Sequence, residues 1–190
     1  MARTRRHKVF VSYHHQEDQD YKDRFVRMMS DYIVDKSVNT GDIVDQNLPT
    51  DEIRRRIRDE YIADATVTVV LIGRCTWRRK HVDWEISASL IDTSHNDRCG
   101  LLGIRLPTHT DFGEAEHNPR LIPPRLAANC EGSYPFAAVR RWSGSEYEVN
   151  RIRQWIDEAF SRRRRQPDPD NSYTMFGDNR HTDCSLGWQS

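Results

Sequence analysis

The stretch Thr66-Val67-Thr68-Val69-Val70-Leu71-Ile72-Gly73-Arg74-Cys75-Thr76-Trp77-Arg78-Arg79-Lys80-His81-Val82-Asp83-Trp84-Glu85-Ile86-Ser87-Ala88-Ser89-Leu90 decides the fold. Its first part is a nearly unbroken β-branched run ended by glycine, the pattern of a strand buried on both faces in a parallel sheet. A basic loop follows, and then a helical pattern with Asp83, Trp84 and Glu85 at its start. Ligands of open parallel α/β sheets sit beyond the carboxyl ends of the strands. The loop and Glu85 fall there, so this is where a site is expected.

Working outward, Lys8 to Tyr13 reads as the opening strand, with His14 and His15 at its carboxyl end. Asp18 to Ser30 carries Tyr21, Phe25, Met28 and Met29 at helical spacing, with Asp18 or Asp20 as N-cap. Tyr32 to Val34 is a short second strand before a polar loop from Lys36 to Leu48. Thr50 opens a helix with Ile53, Ile57 and Tyr61 on one stripe, while Arg54, Arg55, Arg56 and Arg58 mostly face away. Beyond the central stretch, Gly100 to Leu106 and Tyr134 to Val139 are further strands. Ser145 and Glu148 have capping-box spacing ahead of a final helix bearing Val149, Ile152, Trp155, Ile156, Ala159 and Phe160. This alternation predicts an α/β, flavodoxin-like three-layer fold with a mainly parallel five-stranded sheet.

One domain is expected over 8–163, with an irregular excursion at 108–130. A polar segment precedes it (1–7), and a polar tail (164–190) follows, anchored by Phe176 or Trp188. The 29 basic residues balance 29 acidic ones, so composition exerts no general pull toward nucleic acid or membrane. Nucleic acid is therefore not expected as a partner, and the run Arg162 to Arg165 reads as a solvated helix end. No apolar stretch approaches the roughly 20 residues needed to span a bilayer, and the start is polar and basic. The four cysteines lack zinc or redox spacing, and the expected state is cytoplasmic with reduced thiols. The scattered histidines show no metal-ligand spacing, and no metal is expected. Glycine-rich phosphate loops and a serine nucleophile elbow are absent.

In the helix from Val82, Glu85 and Ser89 form one polar strip, and Asp83 and Ser87 another. One of them can face solvent; the other must face protein or a pocket. On pattern alone Glu85 is sooner an acid favouring a helix start, or an arginine partner, than a catalyst.

Three segments taken in order resemble a TIR-like domain. They are Lys8-Val9-Phe10-Val11-Ser12-Tyr13, the loop from Asp35-Lys36-Ser37-Val38 through Asn47, and Val70-Leu71-Ile72-Gly73 with Trp77 and Asp83-Trp84-Glu85-Ile86. The likeness covers roughly Lys8 to Leu106 and is nearest to the bacterial group that includes the sensor subunit of Thoeris antiphage defence. It implies an enzyme that cleaves the nicotinamide–ribose bond of NAD, giving ADP-ribose or a cyclic isomer as a defence signal. NAD would be substrate, with no bound cofactor. Glu85 matches the catalytic glutamate; Tyr13, His14 and His15 match the pocket-bordering loop, and Trp77 and His81 would flank the substrate. His81 stands four residues before Glu85, where many members carry an aromatic. Homo-oligomer formation and a downstream effector that senses the product are also implied. The alternative is a non-catalytic assembly module, because fold does not fix function.

Overall fold

The computed structural model describes residues 6–37, 48–165, 168–180 and 183–188. Most of the polar loop after the second strand (38–47) lies outside the described residues. Five strands make one sheet in the order β2-β1-β3-β4-β5, with every neighbouring pair parallel. They are β1 (His7–Ser12), β2 (Ile33–Asp35), β3 (Val67–Ile72), β4 (Gly100–Arg105) and β5 (Ala137–Arg141). The α/β fold with a parallel five-stranded sheet is the architecture expected from the alternation of patterns.

β3 is the central strand, and all six of its residues are buried. Val67, Val69 and Leu71 point into a core shared with Phe25 and Met29 of α1 (His15–Met29) and with Ile152, Trp155 and Ile156 of α5 (Val149–Arg162). Val70 and Ile72 point the other way, onto Val82, Ile86 and Leu90 of α3 (Lys80–Ser89 and its cap) and Leu126 of α4 (Pro124–Ala128). Phe10 of β1 meets Trp84, Ala88 and Ile57 on that same side. Helices thus cover both faces, as right-handed crossovers require.

Four local expectations are corrected. α4 and a 3-10 turn (Pro119–Leu121) lie inside the segment expected to be irregular, and Leu121 to Ala127 is buried. Its prolines occupy first-turn positions, where the missing N–H costs nothing. β5 begins at Ala137 rather than Tyr134, and ends on exposed Arg140 and Arg141, as an edge strand can. The helix α2 (Thr50–Arg56) continues as a wider π-turn (Ile57–Ile62), which rotates Arg58 inward. Arg58 is fully buried and donates to the carbonyls of Ala63, Ala65 and Asp97, so it does not face away. Finally, Ser145 accepts from Tyr147 N–H while the Glu148 carboxylate accepts from Ser143 N–H, and α5 starts only at Val149.

The expectation of four reduced thiols also fails. Cys75 and Cys184 form a disulfide across 109 residues, with their Cα atoms 4.9 Å apart, while Cys99 and Cys130 are free. Spacing rules could not reveal this pair, because the fold brings it together. Among the described residues no helix is long and apolar enough to cross a membrane.

The disulfide belongs to a C-terminal strap that runs along α3. Tyr173 carbonyl accepts from Arg125 (2.8 Å), Phe176 carbonyl from the Trp84 indole (2.8 Å), and the Asn179 side chain from Lys80 N–H (3.0 Å). Phe176 itself is buried. The strap reaches the 3-10 turn, where Trp188 donates from its indole to the Pro119 and Ile122 carbonyls. Gly187 has φ +70°, and a Cβ there would come within 2.6 Å of the Arg120 carbonyl, so only glycine lets the backbones approach.

Candidate active site

The sheet order places a switch point between β1 and β3: the chain leaves β1 toward β2 on one side and returns to β3 on the other. Crevices outside the carboxyl ends of such strands are where α/β folds bind ligands. Glu85, in the second turn of α3, reaches back to this point. Its carboxylate accepts a 2.5 Å hydrogen bond from the hydroxyl of Ser12, the last residue of β1. One turn on, Ser89 meets the Thr68 hydroxyl on β3 at 2.7 Å and donates to the Glu85 carbonyl at 2.8 Å. One polar strip of α3 therefore faces the sheet.

The other strip does not face solvent, contrary to the expectation for one of the two. Asp83 and Ser87 are buried too, and so is every residue from Val82 to Leu90. Asp83 accepts from buried Arg125 at 3.2 Å and from Phe176 N–H at 3.0 Å, while Arg125 also donates to Asn171 at 2.7 Å. Asn171 in turn donates to the Ser87 carbonyl at 2.9 Å. Arg125 of α4 and the strap together supply the partners that water would have supplied.

Glu85 is only 3% exposed. Burial pushes its carboxyl up to about 8, against the opposing effect of the Ser12 bond. It is therefore mostly protonated at neutral pH. Around it, Tyr13 donates to Gln19 at 2.6 Å and stacks at a tilt on His15, with ring centres 4.2 Å apart. Burial raises the Tyr13 phenol, with the charge of Glu85 among the groups pushing the same way. Burial lowers the His15 pKa, and the His81 and His14 charges lower it further. Burial, with Lys80 and Arg79, lowers His81. His81 lies edge-on to Trp84 at 6.4 Å. Tyr13, His15, His81 and Glu85 thus form one electrostatic neighbourhood with largely uncharged imidazoles.

The two other residues singled out from sequence point elsewhere. His14 is buried, its Nδ1 3.3 Å from the Glu17 carboxylate, and burial followed by Arg79 holds its pKa down. Trp77 is fully buried and donates its indole N–H to the Cys184 carbonyl at 3.1 Å. An open groove of about 530 Å³ at this edge is lined by Glu17, Arg74, Cys75, Arg78, Asp183 and Cys184, not by Glu85. Among the described residues no group of three His, Cys, Asp or Glu side chains is gathered to hold a metal ion.

Two polar residues escaped the sequence reading as site-building groups. Ser12 was read only as part of a strand. Its position as the last strand residue, where a hydroxyl can point into a crevice, is the signal it carried. Asp18 was read as an N-cap, but α1 already starts at His15 and Asp18 is fully buried. Its carboxylate accepts from Thr108 (3.0 Å) and Thr76 (3.4 Å), and burial pushes it up to about 6. It presses on Gly73, where a Cβ would come 2.2 Å from Asp18 Oδ2. Gly73 is needed for this close approach, which fixes the path out of β3.

β1, β3 and α3 fall within a part of the chain that resembles a known protein family. The family model described as "Thoeris protein ThsB, TIR-like domain" matches residues 10–111, more than half of the 190-residue chain. The chain belongs to that family. The match runs from β1 through β4 and so includes the whole switch point, with Ser12, Gly73 and Glu85 inside it. α4, β5, α5 and the strap lie outside the matched part of this TIR-like protein. No curated protein matches the chain.

Proposed function

We propose that this TIR-like protein cleaves the nicotinamide–ribose bond of NAD, releasing nicotinamide and ADP-ribose or a cyclic isomer that a downstream effector reads. The observation that carries this reading is Glu85, a buried carboxyl at the switch point held by Ser12. In NAD the leaving group is a cationic pyridinium that departs as neutral nicotinamide, taking the bonding electron pair. No general acid is required, unlike the paired carboxylates of glycosidases. The ribosyl carbon left behind resembles an oxocarbenium ion, which an ionised carboxylate stabilises electrostatically. Water then attacks that carbon and loses a proton, or a nucleophile of the same molecule closes the ring.

The raised pKa of Glu85 fits this scheme with one requirement. A cationic ring beside the carboxyl favours its charged form, so NAD binding expels the proton. For the free enzyme, kcat/KM accordingly rises with pH up to about 8. His15 and His81, kept largely neutral, can lie against the cationic ring without repelling it. Nicotinamide release from NAD by the purified protein tests the reading: Glu85→Gln should lower kcat by about 10²-fold or more, and unchanged turnover in that variant would refute it.

One observation favours the second reading, a non-catalytic assembly module: the groove at this edge does not reach Glu85. If the protein self-associates but neither binds nor turns over NAD in the assembled state, while Glu85→Ala keeps partner binding, that reading replaces the first.

A further inference from the structure

The Cys75–Cys184 disulfide joins two elements that do different things. Cys75 follows Gly73 and Arg74 in the loop that leads to α3, and Cys184 sits on the strap. Both sulfur-bearing residues line the open groove, together with Arg74, Arg78, Glu17 and Asp183. Cys75 and Cys184 are largely buried but border this groove, which gives an incoming thiol a path to them, whereas Cys99 is fully buried away from it. We propose that Cys75–Cys184 is a thiol–disulfide exchange site, reached through this groove by a dithiol reductant, and that its reduction frees the distal strap from the β3–α3 loop.

The two sulfurs have distinct roles. Cys184 is the more exposed, 8% against 4% for Cys75, and it lies on the segment that can move away. A thiolate of the reductant attacks Cys184 Sγ, and Cys75 Sγ leaves with the bonding pair and takes up a proton. Arg74, next to Cys75 in the chain, and Arg78, three residues on, also line the groove, and positive charge near Cys75 favours the departing thiolate. The second thiol of the reductant then attacks its own sulfur in the mixed disulfide, and Cys184 leaves as the second thiolate and is protonated. Two electrons and two protons pass to the protein, and the reductant ends as a disulfide.

Detachment has a natural boundary at Phe176. Before it, the strap is held by the buried Asp83–Arg125–Asn171 network and by Asp170, whose N–H donates to Asn129 at 2.9 Å. Beyond it, the ties include Lys80 N–H to Asn179, Arg180 N–H to the Arg78 carbonyl with its guanidinium 4.1 Å over the Phe176 ring, Trp77 to the Cys184 carbonyl, and Trp188 to the Arg120, Pro119 and Ile122 carbonyls. The hydrogen bonds among these join neutral groups, each of which contributes only modestly, whereas the ties before Phe176 include a buried ion pair.

The test uses the full chain, oxidised, in dithiothreitol without denaturant, with alkylation and mass spectrometry to count thiols and hydrogen exchange to follow the strap. Cys75 and Cys184 should become alkylated together and ahead of Cys99 and Cys130. Exchange over 177–180 and 183–188 should accelerate at least about tenfold, while 168–176 and β3 stay protected. Cys184→Ser should show the same fast strap without reductant. The proposal is overturned if the pair resists reduction until the protein is denatured. It is equally overturned if exchange over 177–180 and 183–188 matches in both redox states, or if reduction strips protection from β3. None of these readouts involves NAD, so failure of the enzymatic reading leaves this one standing and the reverse.

Discussion

Glu85 holds a proton in the folded state that it would release on unfolding. Its ordinary value is 4.5 and burial lifts it to about 8. The folded state therefore binds more protons between those two values, and stability must fall as pH rises through that window. Glu85→Gln removes this slope. Urea midpoints at pH 5 should be close for the two proteins, and by pH 8 the variant should be the more stable by a few kcal/mol. Asp18 contributes a slope of the same sign from 3.8 to about 6, and the variant should keep it. A buried carboxyl that weakens the fold as pH rises is what the proposed function requires of Glu85, chemistry taking precedence over stability. At Gly73 the constraint is steric. Gly73→Ala would drive a methyl into the Asp18 carboxylate and disturb the Thr76 hydroxyl that Gly73 N–H donates to at 2.9 Å. A loss of about 1–3 kcal/mol in denaturant unfolding is expected.

At the scale of elements, α3 is the unusual one, because a helix so polar is ordinarily half solvated. Its buried Asp83 survives only because Arg125 and the Phe176 amide answer it. Removing one partner leaves an uncompensated charge, so Arg125→Met alone should cost about 3–5 kcal/mol, measured by the shift in urea midpoint. Arg125→Met combined with Asp83→Leu should recover most of that, a pairing that distinguishes charge from shape. These dependencies also explain what the sequence could and could not reveal. β1, β3 and β4 are legible because each holds a run of β-branched, aliphatic or aromatic residues that faces two cores. β5 was displaced because an edge strand ends in solvent and tolerates Arg140 and Arg141. α4 was hidden by prolines that in fact open it. The strap was read as a polar tail without a stripe, and its path over α3 stayed hidden because it is held largely through carbonyls, amides and one disulfide, none of which has a period. Within the site, Glu85 stood out only through an ordered family resemblance. Ser12 and Asp18 did not, since a lone polar residue has no spacing to betray what the fold sets beside it.

For the molecule as a whole, the crosslink matters more than its two residues suggest. It closes a loop of 109 residues, and in the chain-entropy account such a closure contributes about 2–5 kcal/mol by restricting the unfolded chain. Cys184→Ser should lower the unfolding free energy by that order under non-reducing conditions, with the same difference vanishing when both proteins are measured in excess dithiothreitol. The loop also divides the molecule mechanically. α3, β4, α4, β5 and α5 lie inside the covalent ring, whereas β1, α1, β2, α2 and β3 lie outside it. Pulled at residues 6 and 188, the oxidised chain could lengthen only by its outer part, to about 250 Å rather than about 640 Å for the open chain. Under load, then, Ser12 would be drawn away while Glu85 stayed in the ring. Force would part the two halves of the site before it unravelled either the helix that bears the acid or the strap that encloses it.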